Sequence, residues 1–506
     1  MIKDYLREQI LLNFGHSPTT DQQKAADLLA AFIFSTDEQA VFILRGFAGT
    51  GKTSLLGALV KTMEQLERTC VLMAPTGRAA KVFSLYADHL AFTIHKRIYR
   101  QKSIDQDSIF SLGYNMLHQV LFIVDEASMI SDAADSSAMR SSLLDDLIRF
   151  VYAGDLHCRL ILVGDTAQLP PVGEGESPAL QENVLRSYGL HPICITLSQI
   201  VRQAEDSGIL WNATRLRQQI DTEAVFELPR IRFRDFADVV NVPGDELIET
   251  ISNCYNRFGI DETMVVCRSN KRAIVYNNGI RNQILGREEE LSTGDQLMIA
   301  KNNYFWIKGN AAQTTDGESV PRAFSASQPE SVPRSFPARS NELIRATDFL
   351  ANGDICVVER VRNIRELYGF RFADCTLRLP DYDDSEFDAT VLLDTLHAEA
   401  PALTYDQQQN LFNRVMEDYA DISLKRDRLK KLKQDPYYNA LQVKYAYAVT
   451  CHKAQGGQWS HIFIDQGYMT DDMLGPDYFR WLYTAITRAT HTVYFVNWRK
   501  EQSDPD

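Results

Sequence analysis

With 506 residues, 45% hydrophobic and 24% charged, the chain is ordinary globular material, too long for one core and enough for roughly three or four domains. It has no run of 18 apolar residues, which excludes a membrane-spanning helix, and its eight cysteines are scattered with no C-x-x-C pair, which excludes a disulfide frame or cysteine metal site and fits reduced thiols. The net charge of −14, taken alone, argues against a nucleic-acid partner, although a global sum can hide a local basic groove.

The chain opens on Met1-Ile2-Lys3-Asp4-Tyr5-Leu6, which lacks the apolar core of a secretory signal, so a cytoplasmic protein is expected. Residues 2–14 read as a short amphipathic helix. A second helix opens at Ser17-Pro18-Thr19-Thr20-Asp21-Gln22-Gln23 and runs through Phe32. Thr20 and Gln23 have the T-x-x-Q spacing of a capping box. Gln23 can equally read an adenine edge, and the two roles are compatible.

Val41-Phe42-Ile43-Leu44 reads as a buried parallel strand. It leads into Gly46-Phe47-Ala48-Gly49-Thr50-Gly51-Lys52-Thr53, the spacing G-x-x-x-x-G-K-T of a phosphate-binding loop, and then into a helix beginning at Ser54-Leu55-Leu56. Gly46, Gly49 and Gly51 permit backbone angles that turn N–H groups inward around a phosphate, and the helix start adds its own. Lys52 can reach the outer phosphates of ATP, and the Thr53 hydroxyl can ligate Mg²⁺.

Apolar runs recur at 70–73, 120–124 and 160–163, separated by helical or loop stretches. This alternation predicts a parallel sheet with helices on both faces and ligands beyond the carboxyl ends of the strands. Each run ends in chemically loaded residues. The first leads into Ala74-Pro75-Thr76-Gly77-Arg78-Ala79-Ala80-Lys81, where backbone N–H groups, Thr76, Arg78 and Lys81 can grip a phosphodiester. Thr93-Ile94-His95-Lys96-Arg97-Ile98-Tyr99-Arg100 is basic with an aromatic interleaved. Both stretches can also be plain solvated faces.

The run at 120–124 ends in Asp125-Glu126, where Asp125 can hold Mg²⁺ and Glu126 can take the proton of an attacking water. The run at 160–163 ends in Gly164-Asp165-Thr166-Ala167-Gln168-Leu169-Pro170-Pro171-Val172. Gln168 can contact a γ-phosphate, and the prolines stiffen the segment that would transmit its loss.

These motifs resemble those of superfamily 1 helicases. The order is Gly46–Thr53, Ala74–Lys81, Asp125–Ser128, Gly164–Val172, Val201-Arg202-Gln203, Thr450-Cys451-His452-Lys453-Ala454-Gln455-Gly456 and Tyr483-Thr484-Ala485-Ile486-Thr487-Arg488-Ala489. The wording at Gly164–Pro171 and His452–Gly456 is most similar to the RecD-like branch, which includes the Pif helicases. The resemblance spans about residues 19–203, 264–283 and 443–497. It implies an α/β fold: two RecA-like P-loop motor domains with parallel sheets, an inserted SH3-like β-barrel and a small wedge insertion.

The domains are expected at 1–97 with 119–196 (motor domain 1), 98–118 (wedge), 197–289 with 443–506 (motor domain 2) and 290–442 (barrel). The wedge would carry Ile109, Phe110, Leu112 and Tyr114 at its tip. In the second motor domain, 264–267, 445–449, 461–464 and 493–496 read as strands, and Arg268 precedes a helix and can pack near the nucleotide base. In the insertion, strand candidates lie at 297–299, 355–358, 372–377 and 391–393. Residues 311–341, with the near-repeat of 319–324 at 331–336, read as a flexible loop, and 403–433 as a helix with a basic end.

The resemblance further implies site roles. Arg202 and Arg488 match arginines that reach the γ-phosphate from the second motor domain, beside Lys52, Glu126 and Gln168. Gln23 matches the adenine-reading glutamine, and Gly49, Thr50, Gly51, Lys52, Thr53 and Ser54 match the ATP loop. A Glu commonly follows the Gln-Gly-x segment in this branch. Here Gly457 is followed by Gln458, whose neutral amide can still bond a ribose hydroxyl. Pro75, Thr76, Arg78, His95, Lys96, Thr450, His452 and Lys453 match segments that hold single-stranded DNA. The implied protein is a monomeric, Mg-ATP-driven 5′-to-3′ helicase acting on single-stranded DNA and duplex or forked DNA. An RNA-directed motor and an ATP-gated binding switch are the alternatives.

Overall fold

The computed structural model describes residues 2–101, 110–133, 141–154, 157–200, 207–222, 224–303, 305–306, 350–382, 384–470 and 473–504. The chain forms two compact units, one of residues 1–288 with 446–506 and the other of residues 289–445.

The first unit contains two parallel sheets. The first has six strands in the order Ala91–Thr93, Cys70–Ala74, Leu121–Val124, Arg159–Gly164, Ala40–Gly46, His191–Leu197. Alternation along its strands sorts the core into two faces. Phe42, Leu44, Leu72, Ile123 and Ile161 pack with the helices Ile2–Phe14, Thr20–Ile33 and Lys52–Gln65. Val41, Ile43, Met73, Phe122 and Leu160 pack with the helix Leu143–Gly154. Both faces are apolar because both are covered, which is why these strands read as continuous hydrophobic runs. The edge strands Ala91–Thr93 and His191–Leu197 escaped the sequence reading, since both are only partly buried.

The second sheet has the order Ala448–Thr450, Thr263–Cys267, Trp459–Asp465, Ala489–Val496, Val239–Val242, all parallel. The expected single strand at 445–449 is in fact two. Leu441–Tyr445 belongs to the barrel, and Ala448–Thr450 to this sheet. Both are apolar, so periodicity could not divide them. Two parallel sheets fit the expected pair of RecA-like domains.

The second unit is a closed barrel of Gln296–Ile299, Ile355–Leu367, Phe370–Leu379, Ser385–Leu392 and Leu441–Tyr445. The expected single helix at 403–433 is two, Tyr405–Asp418 and Lys425–Leu432. The first opens on a capping box of Thr404 and Gln407. The loop at 311–341 lies outside the described residues.

Where a wedge is expected, Tyr99–Gln101 pairs antiparallel with Phe110–Leu112. Tyr114 is exposed, whereas Leu112 packs back against the first sheet's core and so is not part of an apolar tip. Ile109 lies outside the described residues. Among the described residues no helix is long and apolar enough to cross a membrane, and none of the eight cysteines forms a disulfide, seven of them being buried.

Candidate nucleotide and nucleic-acid site

Every strand of the first sheet that carries a motif ends at the same edge, because the strands are parallel. There the chain leaves Gly46 for the glycine loop. Gly49 and Gly51 have φ of +74° and +78°, the left-handed region that glycine alone enters freely. Gly46 needs glycine for a different reason than expected: a Cβ there would lie 2.9 Å from both Lys52 Cγ and Thr50 Oγ1. The Lys52 ammonium folds into the loop and donates to Gly46 O (2.7 Å) and Phe47 O (3.0 Å). Thr50 is buried and its hydroxyl donates to Phe47 O. Thr53 and Ser54 lie in the first helical turn, half-buried and exposed respectively.

The helix Thr20–Ile33 corrects the capping register. Thr19 and Gln22, one residue earlier than expected, form the box. Two threonines followed by two glutamines offer both registers, and burial selects between them. Gln22 is buried and its amide donates to Thr50 O at 2.9 Å, whereas Gln23 is exposed and donates to Pro18 O. The glutamine tied to the phosphate loop is therefore Gln22.

Asp125 follows the strand Leu121–Val124 and accepts from Glu126 N–H at 2.8 Å. Its apolar surroundings, then the adjacent Glu126 carboxylate, push its carboxyl above the ordinary range, while Lys52 and Arg488 oppose that shift. Glu126 sits at φ +52°, which for a non-glycine residue stores roughly 1–3 kcal/mol. From there its Oε1 lies 3.7 Å from Nη1 of Arg488, delivered by the second sheet. The Arg488 side chain is almost wholly buried and donates to Thr484 O and Gly457 O. Gln168 is buried, and its Oε1 has no hydrogen-bond partner among the described residues. Arg202 lies outside the described residues.

The expected DNA residues fall into three groups. Thr76 caps the helix Gly77–Ala87 by accepting from Ala79 N–H, beside half-buried Pro75. It sits against Gly456, where a Cβ would lie 3.1 Å from its hydroxyl, so the segments 75–80 and 450–457 meet. Arg78 is engaged with protein: its guanidinium donates to Gln458 O (2.9 Å) and stacks on Trp459 at 4.1 Å. His95 and Lys96 lie on the one-turn helix Ile94–Ile98, against Tyr99 and Phe92. Thr450 precedes the short helix Cys451–Ala454, on which His452 is exposed and Lys453 half-buried.

The backbone carbonyls of Gly457 and Gln458, both expected at ATP, accept from Arg488 and Arg78. Arg268, expected near the base, stacks on Tyr478 and Trp481.

The sequence reading missed a set of bonds between the two lobes. The Tyr483 hydroxyl bridges Asp165 and the Ala48 N–H, Thr484 accepts from Leu169 N–H, and Gln455 donates to Leu169 O. Their signal was present as adjacent hydroxyl residues inside a quoted motif, but only packing shows what they reach.

The site suits a polyphosphate. The phosphate loop and an ammonium that rests on the loop's own carbonyls lie at the sheet edge that also bears the carboxylate pair, with Lys52 in electrostatic reach of Asp125, and Gln168 on the neighbouring motif has an unpartnered buried amide oxygen.

Comparisons with known proteins agree with this layout. Residues 19–230 match the model of an AAA domain, and residues 445–496 match that of a UvrD-like helicase C-terminal domain. An uncharacterized protein of Methanocaldococcus jannaschii is 24% identical over 94% of this chain and 38% of its own length. An uncharacterized protein of Acanthamoeba polyphaga mimivirus is 22% identical over 94% and 99%. The ATP-dependent RecD2 DNA helicase of Deinococcus radiodurans is 32% identical over 33% of this chain and 20% of its own. The chain thus spans well under two thirds of the archaeal and Deinococcus relatives. Among solved structures, the Pif1 helicase from Bacteroides in complex with ADP-AlF3 and ssDNA aligns over 97% of this chain and 95% of that one, at 15% identity and a TM-score of 0.45. The Pif1 helicase from Candida albicans aligns over 97% of both chains, at 14% identity and a TM-score of 0.44.

Proposed function

We propose that this chain, which matches an AAA domain over residues 19–230 and a UvrD-like helicase C-terminal domain over residues 445–496, is a superfamily 1 helicase of the RecD-like branch: an ATP-driven motor that moves 5′-to-3′ on single-stranded DNA and parts duplex or forked DNA ahead of it. One observation carries the reading: Arg488 of the second lobe lies 3.7 Å from Glu126 of the first, at the edge that holds Lys52. An arginine brought across a cleft to the phosphate site can stabilise the charge that develops on the transferred phosphoryl group, and that dependence couples nucleotide hydrolysis to lobe closure.

In this mechanism Lys52 exchanges its loop carbonyls for the outer phosphates, and the loop N–H groups around Gly49–Thr53 hold the rest. Thr53 and Asp125 would hold Mg²⁺, which supplies positive charge against the phosphates. Glu126 takes the proton of the attacking water. Gln168 places its amide at the γ-phosphate, and Arg488, with Arg202, offsets charge that develops there. Closure is favoured only while that phosphate is in place, so hydrolysis lets the lobes part. Thr76, His95, Lys96, Thr450, His452 and Lys453 hold the strand through phosphate and base-face contacts. Such contacts tolerate any sequence. The motor acts as a monomer in the cytoplasm.

The test is strand release from fluorescent duplexes with a 5′ or a 3′ single-stranded tail, in DNA and in RNA. The expected result is ATP-dependent release of the 5′-tailed DNA duplex. Binding without release on any substrate would make the chain an ATP-gated switch. Preference for an RNA tail, or for the 3′ tail, would overturn substrate or direction.

A further inference from the structure

Tyr483 is fully buried near the end of the helix Pro476–Ile486, which belongs to the second lobe, yet its hydroxyl is spent entirely on the first. It donates to Asp165 Oδ2 at 2.6 Å and accepts from the Ala48 N–H of the phosphate loop at 2.9 Å. A core tyrosine needs one partner to be satisfied. This one has two, and they are the two first-lobe segments whose arrangement a γ-phosphate would alter. The next residue continues the seam. The Thr484 hydroxyl donates to Arg480 O and accepts from Leu169 N–H at 2.9 Å, one residue after Gln168. Arg488 follows four residues later, and its Nε donates to Thr484 O.

We infer that Tyr483 is a positioning residue for ATP hydrolysis: by tying the end of its helix to Ala48 and Asp165, it sets Arg488 against Glu126 and registers the phosphate loop to the second lobe. This rests on the motor reading above. The geometry argues for the role in three ways. Tyr483 is a donor to one segment and an acceptor from the other, so moving either segment breaks a bond that neither water nor another side chain can replace in a buried site. The residue it reaches, Asp165, is itself held by Ala167 N–H at 2.9 Å, so it is a rigid anchor. The arginine it positions donates to the carbonyl of Thr484, the residue next to Tyr483, as well as to Gly457 O and Thr487 Oγ1, and has no described carboxylate but Glu126 within ion-pair distance.

Tyr483→Phe removes only the hydroxyl. The expected result is a fall of tenfold or more in the kcat of single-stranded-DNA-stimulated ATP hydrolysis. The KM for ATP, the affinity for a fluorescent ATP analogue and the affinity for the oligonucleotide should each stay within threefold. If Tyr483 acts through Asp165, the same substitution in an Asp165→Asn background costs less than twofold further. Thr484→Val probes the seam through Leu169 and should also lower kcat with little change in KM. It stands in if the phenylalanine variant does not fold. An unchanged stimulated kcat in the folded variants would overturn the inference. So would full additivity with Asp165→Asn, or a parallel loss of nucleotide affinity, which would mark Tyr483 as plain packing. A wild-type protein that hydrolyses no ATP with DNA present would instead refute the motor reading, so the two failures are distinguishable.

Discussion

Gly456→Ala is the sharpest perturbation of the seam between the lobes. Gly456 has φ +72°, where an L-residue costs about 1–2 kcal/mol. A Cβ there would lie 2.8 Å from the Cβ of Ala79 and 3.1 Å from Thr76 Oγ1. Carbon atoms rest at about 3.5–4.0 Å, so the surfaces must part by roughly 0.7 Å. Neither neighbour can swing aside. Ala79 has no torsion to turn, and Thr76 is held as the cap of the helix Gly77–Ala87. Overpacking of this kind costs about 1–3 kcal/mol, which brings the total to about 2–5 kcal/mol. The strain falls between the segments proposed to hold DNA. The expected outcome is a lower urea midpoint and at least tenfold weaker DNA-stimulated ATPase, with nucleotide binding retained. Ala79→Gly in the same chain removes the 2.8 Å contact and should restore most of the overpacking share. A double variant no more stable and no more active than Gly456→Ala would refute the steric account.

The other predictions are briefer. Glu126→Gln should bind ATP normally and lose about 10²–10⁴ in turnover, the share of a general base, and normal hydrolysis would remove Glu126 from that role. Arg488→Ala should lower kcat by about 10³ or more in a steady-state ATPase assay while leaving oligonucleotide binding intact. Gln22→Ala breaks both the capping box and the bond to Thr50 O. It should lower stability by about 1–2 kcal/mol in thermal melts and raise the KM for ATP, whereas Gln23→Ala should do neither. Oligonucleotide affinity should fall steeply between low and moderate salt as counterions are released, and a flat profile would exclude a phosphate-gripping groove.

The glycine loop, the carboxylate pair and the order of the motifs were legible in the sequence because each depends on neighbours in the chain. Asp125-Glu126 follows an apolar run, and the run is visible as letters. The strands buried on both faces were legible for the same reason, while the half-covered edges Ala91–Thr93 and His191–Leu197 were not.

Registers and partners across distance were decided only by tertiary packing. Whether Thr19 or Thr20 caps the helix depends on which glutamine can bury itself against Thr50. Whether Arg78 faces solvent depends on Trp459, 381 positions later, whose ring it covers. The assignment of 441–445 to the barrel and 448–450 to the sheet depends on which strands stood ready to pair. Local patterns fix what a segment can become, because helix and strand periods are set by the backbone. What it touches is set by the burial of distant residues, and no window of sequence contains that.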